Sequence, residues 1–145
     1  MAKKALLAGM VLLFGMIITV NLEAQTDNRL NGSWVVFIEG AESKYIFRDG
    51  NFDIVLEDII ISKGTYTTNG NNITIRITHV HGEIFGGMFE YELYSIDELK
   101  ESPMGPFISL LLPDEILITT MNYSISGNTL AMTTRSGETT IYTRE

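Results

Sequence analysis

The chain has 145 residues, 18 acidic and 10 basic side chains, a formal net charge of −8 and no cysteine. That length suits one domain of ordinary size. The charge argues against nucleic acid as a partner, because phosphate binding needs clustered Lys and Arg, and the lack of cysteine excludes disulfides, thiol catalysis and a lipid-modified cysteine anchor.

Residues 1–24 have the layout of a secretory signal peptide. Lys3 and Lys4 form a positive head, Ala5 to Val20 run uncharged and apolar, and Ala24 in "NLEAQ" offers a small residue for cleavage. At about 1.5 Å of rise per residue the run falls short of a hydrocarbon core of roughly 30 Å, which favours a signal peptide over the alternative, an uncleaved membrane anchor. Loss of Lys3, Lys4 and Glu23 would take the net charge from −8 to about −9. The expectation is an exported protein, periplasmic or extracellular, not a lipoprotein and without a stable membrane span after cleavage. A short polar linker, 25–29, would lead into a domain spanning 30–145.

From there the chain alternates apolar and polar residues in short segments. "NFDIVLE" sets Phe52, Ile54 and Leu56 against Asp53, Val55 and Glu57; "NITIRITH" sets Ile73, Ile75 and Ile77 against Thr74, Arg76 and Thr78; "FEYELYS" sets Phe89, Tyr91 and Leu93 against Glu90, Glu92 and Tyr94. Period-two alternation predicts strands with one face for a core and one for water. Asp49-Gly50, Asn69-Gly70, Ser126-Gly127-Asn128 and Ser136-Gly137 punctuate them with residues that reach the positive φ of tight hairpins. The predicted strands are 32–39, 43–48, 51–57, 60–68, 72–80, 87–95, 116–125, 128–135 and 138–144. With no crossover helix required, the class is all-β: an antiparallel up-and-down meander, which escapes exposed edges by closing into a small barrel.

"THVHGE" raises the possibility of a metal. On an extended strand His79, His81 and Glu83 share a face, continuing the parity of Ile73, Ile75 and Ile77. Two imidazoles make a workable ligand pair, but the third ligand would be Glu83 in a turn or a carboxylate from elsewhere. The alternative is a pair of hydrogen-bonded residues at the barrel rim, and no metal or other cofactor is assigned.

Between 96 and 115 the rhythm breaks. Ser95 with Glu98 three residues later is a capping-box pattern for a short helix, and Pro103, Pro106 and Pro113 around the apolar run Phe107 to Leu112 argue against a central strand. This segment is predicted to be a helical or irregular flap over one end of the barrel.

"NGSWVVF", in which Gly32-x-Trp34 opens the first strand, together with "YIFRDGNFDI", "KGTYTTNGNNITI", "YSISGNTLAMTT" and "TIYTRE", resembles small bacterial lipocalin-like domains of the calycin superfamily across Leu30 to Glu145. The resemblance implies a barrel whose tryptophan closes one end against an arginine of the last strand, here Arg144, with Arg135 as the second candidate. It also implies binding of a small hydrophobic molecule within the barrel.

No G-x-S-x-G elbow, H-E-x-x-H pair or glycine-rich phosphate loop is present, so no enzyme activity is expected. Glu90 and Glu92 fit a solvated outer face. Candidate ligand-lining residues, chosen by parity, are Trp34, Val36, Phe52, Ile54, Leu56, Tyr66, Ile75, Phe89, Tyr91, Leu93 and Met132, with Ile38, Ile73 and Leu130 also directed inward. These residues serve equally as a packed core, because an eight-stranded barrel is only just wide enough for side chains or one small ligand. The function expected is binding of a small hydrophobic molecule inside the barrel; the alternative is a filled barrel that works through its outer surface as a structural or protein-interaction module of the cell envelope.

Overall fold

The computed structural model describes residues 25–145, so the expected signal peptide at 1–24 lies outside the described residues. The tight turns fall where Gly and Asn punctuate the sequence, and between them run β1 (Gly32–Ile38), β2 (Ala41–Arg48), β3 (Asn51–Leu56), β4 (Ile59–Asn69) and β5 (Asn72–His81). After an insertion come β7 (Ile118–Ser126), β8 (Thr129–Thr133) and β9 (Thr139–Arg144). Within the insertion, β6 (Leu93–Ser95) is followed by α1 (Ile96–Glu101), α2 (Gly105–Leu111) and α3 (Asp114–Leu117). Ser95 caps α1, its side chain accepting from the Glu98 N–H at 3.5 Å, as the capping-box pattern predicts.

Every strand pairs antiparallel with its neighbours. β1 to β5 form a meander, β5 passes to β7, and β7, β8 and β9 return to β1 through Trp34↔Arg144 and Val35↔Thr143. The result is a closed eight-stranded barrel. β6 stands outside this ring: the lower half of β5 pairs with β7 from Asn72↔Asn122 to Arg76↔Ile118, and its upper end pairs with β6 at His79↔Ser95 to His81↔Leu93.

Three sequence expectations need correction. The strand predicted at 87–95 shrinks to Leu93–Ser95, because a 3-10 turn at Gly82–Phe85 and left-handed glycines at 86 and 87 carry the chain away from the sheet. The strand predicted from 116 starts at Ile118, its first residues being taken into α3. The third concerns parity. Lys63 pairs with His79 and Gly64 with Ile77, which leaves Thr78 as an extra residue in β5. Such a bulge exchanges inside and outside along the rest of the strand. Val80 therefore enters the core and His79 leaves the face that carries Ile73, Ile75 and Ile77; His81, the last residue of β5, is buried as well and caps the turn that follows.

Two apolar clusters result. The barrel cluster contains Leu30, Trp34, Phe47, Phe52, Tyr66, Ile73, Ile75, Tyr123, Leu130, Met132 and Tyr142. The second, of Val80, Phe85, Ile96, Leu99, Ile108 and Leu117, fixes the insertion to the upper end of β5, and Ile77 packs against both.

Candidate functional site

The barrel interior is the first place to look for a ligand. Its lower end is closed by the N-terminal segment. Asp27 caps the 3-10 turn Asn28–Leu30, and the Trp34 indole N–H donates to the Leu30 carbonyl at 2.7 Å. Arg144 lies over the Trp34 ring, 4.1 Å from its centre, and donates to the carbonyls of Asn31 and Arg29 at 2.8 and 2.7 Å. The pairing of Trp34 with an arginine of the last strand is thus present, and Arg144 is that residue; Arg135 is exposed near the β8–β9 turn.

Above this plug, aromatic rings occupy the lumen. Phe47 meets Tyr66 edge-on at 5.0 Å and Phe52 at 6.3 Å, while Tyr45 meets Tyr142 edge-on at 5.0 Å. Such ring pairs add to the burial energy of each side chain. Burial pushes the Tyr45 phenol up, and that of Tyr142 well above the ordinary tyrosine range. Among the described residues no buried side-chain nitrogen or oxygen lacks a hydrogen-bond partner, so the interior presents no unsatisfied polar group to orient a guest.

The predicted ligand-lining residues separate into three sets. Trp34, Phe52, Tyr66, Ile75 and Met132 are buried in the packed barrel core, together with Ile73 and Leu130. Val36 and Ile54 are half-buried beside that core; Leu56 is half-buried near the β3–β4 turn, and Ile38 is exposed. Phe89, Tyr91 and Leu93 lie outside the barrel ring. Phe89 packs with Phe85 and Tyr94 beneath the insertion, Tyr91 is 64% exposed, and Leu93 belongs to β6. The interior rings that the sequence list left out are Tyr45, Phe47, Tyr123 and Tyr142. "SKYIFR", "YSISGNTLAMTT" and "TIYTR" carry their signal, since each places an aromatic at the inward step of a predicted strand.

The histidines do not converge on a metal. His79 Nδ1 lies 2.8 Å from the Thr78 hydroxyl, and His81 is buried with its Nδ1 accepting the Glu83 N–H at 3.2 Å and its ring edge-on to Tyr91 at 4.4 Å. Among the described residues no three His, Cys, Asp or Glu side chains group as metal ligands. His81 thereby acts as the cap of the turn that starts the insertion.

The outer surface offers more. Twelve large hydrophobic side chains are exposed among the described residues, and eight belong to residues 82–117: Ile84, Met88, Tyr91, Met104, Phe107, Leu110, Leu111 and Ile116. Ile118 follows them directly, while Phe37, Ile38 and Ile141 sit beside the short β1–β9 seam, where an open groove of about 530 Å³ runs along Val35, Phe37, Ile141 and Thr143. Leu110 is 78% exposed, on a helix whose Ile108 is fully buried. α2 therefore holds its place through one apolar side and presents another to the outside, and the Lys100–Asp114 ion pair at 3.5 Å ties α1 to α3 beside it. A smaller crevice of about 130 Å³ lies between β5 and these helices, lined by Arg76, Asp97, Lys100 and Asp114 among others. No helix among the described residues is long and apolar enough to cross a membrane.

No family model and no curated protein matches the chain. It is similar to a solved structure, an uncharacterized protein from Bacteroides eggerthii DSM 20697, with 13% identity and a TM-score of 0.47 over 80% of this chain and 99% of that one.

Proposed function

We propose that the protein is an exported, filled β-barrel that works as a protein-interaction module of the cell envelope, docking a partner through the insertion between β5 and β7. The observation that carries this reading is the concentration of exposed large hydrophobics on residues 82–117, eight of the twelve among the described residues. Exposed apolar side chains gathered on one segment of a folded protein point to an interaction site. Covering a fully exposed Phe or Leu side chain is worth about 1.5–3 kcal/mol; Leu110, 78% exposed, offers most of that, and Phe107 and Leu111, 36% and 41% exposed, add a smaller share each. The barrel is the frame: its rings are packed, and its closed sheet holds the insertion at one end.

Replacing Phe107 and Leu110 by Glu tests it. The fold should persist, because neither side chain belongs to a buried cluster, while association with an envelope partner should be lost. Unchanged association in the double variant would refute the docking role.

A second reading, binding of a small hydrophobic molecule, draws on the half-buried inward residues Val36, Ile54, Ile77 and Met121 beside the core. A ligand there would displace or extend the packing of Tyr45 and Tyr142, and an organic mass that leaves the protein on denaturation would establish it.

A further inference from the structure

Charge is distributed as unevenly as apolar surface. The insertion holds Glu83, Glu90, Glu92, Asp97, Glu98, Glu101, Asp114 and Glu115 against Lys100 alone, a net charge of −7, and all eight carboxylates are on exposed residues. The rest of the described chain, 25–81 with 118–145, carries nine acidic and seven basic side chains, a net charge of −2. Lys100 is itself engaged by Asp114 at 3.5 Å. The region that exposes most of the large hydrophobic side chains is therefore also the region that holds most of the net charge.

We infer that the insertion recognises a cationic amphipathic segment of a partner protein, apolar residues flanked by Lys or Arg. This rests on the docking reading above and names the partner's chemistry. Phe107, Leu110 and Leu111 supply the apolar contact, and Glu101 and Glu115, on the neighbouring helices α1 and α3, belong to its acidic surround. Opposite charge around an apolar centre speeds encounter and rejects partners of like charge. A second copy of this chain would bring two −7 surfaces together, and an anionic lipid surface would be repelled in the same way.

The test uses the mature chain, 25–145, and two labelled amphipathic peptides of equal length, one built of Leu and Lys, the other of Leu and Glu. The expected result is roughly tenfold or greater preference for the Lys peptide at low salt, shrinking as ionic strength rises and the charges are screened. A Glu101→Gln/Glu115→Gln variant with an unchanged melting temperature should lose much of that preference while still binding. Equal binding of both peptides, abolished by Phe107→Glu/Leu110→Glu, would overturn the cationic inference and leave the docking surface standing. Binding of neither peptide, or adsorption to neutral phosphatidylcholine vesicles with no preference between the peptides, would also overturn it.

Discussion

The Arg144 guanidinium lies 4.1 Å from the centre of the Trp34 ring, and the two residues are also direct cross-strand partners in the pairing that closes the barrel. Arg144 adds hydrogen bonds to Asn31 O and Arg29 O, so one side chain joins the first strand, the last strand and the N-terminal plug. Cation–π attraction and charge-assisted hydrogen bonds contribute roughly 0.5–3 kcal/mol each. Arg144→Ala is expected to lower stability by about 2–4 kcal/mol in urea denaturation. Arg144→Lys should recover only part of this, since an ammonium lacks the planar fork that reaches two carbonyls.

Gly64 is the point where β4 leaves no room for a side chain. A Cβ there would stand 2.0 Å from the Arg76 carbonyl oxygen and 2.5 Å from the Phe52 ring. Gly64→Ala is expected to cost about 2–3 kcal/mol or to prevent folding, as overpacking does. Gly70→Ala has open space around the new methyl and strains only a left-handed turn, so its cost should be nearer 1 kcal/mol. Similar melting temperatures for the two variants would contradict this packing.

Acid should loosen the N-terminal plug first. Hydrogen bonds from the Arg29 side chain, with further donation from the Tyr123 hydroxyl and the Arg29 N–H, hold the Asp27 carboxyl down at about 2, below its ordinary value of 3.8. A folded-state value below the unfolded one means that the stabilisation is present above about pH 4 and is lost as pH falls toward 2. Asp27→Asn should cost about 1 kcal/mol near neutrality, in the range of a lost helix cap, and should flatten the stability profile between those two pH values.

Zinc should neither bind nor stabilise through the histidine pair. A thermal melt of residues 25–145 with and without zinc is expected to show no shift, and His79→Ala should leave that result unchanged. His81→Ala should destabilise by about 1 kcal/mol, because it removes the acceptor for the Glu83 N–H at the entrance to the insertion. A zinc-dependent rise in melting temperature that disappears in both variants would restore the metal reading.

Much of the barrel was legible because period-two alternation and Asn/Asp-Gly turns are local signals. Phe52, Ile73 and Leu130 follow the pleat and are buried where parity puts them. The bulge at Thr78 has no such local signature, being set by how Lys63 and Gly64 meet the facing strand. One extra residue was enough to take His79 off the face of Ile73, Ile75 and Ile77, while both histidines are hydrogen-bonded at the strand's end. "FEYELYS" misled for a related reason: its alternation is that of a strand, but Gly82 donates to Glu92 O at 2.8 Å and lies against the backbone at Glu90, folding the segment back on itself. The insertion face was hidden because Phe107 and Leu110 look like core residues until the packing of Ile108 shows which side of the helix is left over.

The most direct test of the central claim is native mass spectrometry of residues 25–145 recovered from the envelope fraction of the producing cell, alongside the Phe107→Glu/Leu110→Glu variant. The expected result is an added mass of polypeptide size on the wild-type chain, absent from the variant, with no small organic mass on either. A small organic mass carried by both proteins and released on denaturation would contradict the filled barrel and place the function inside it.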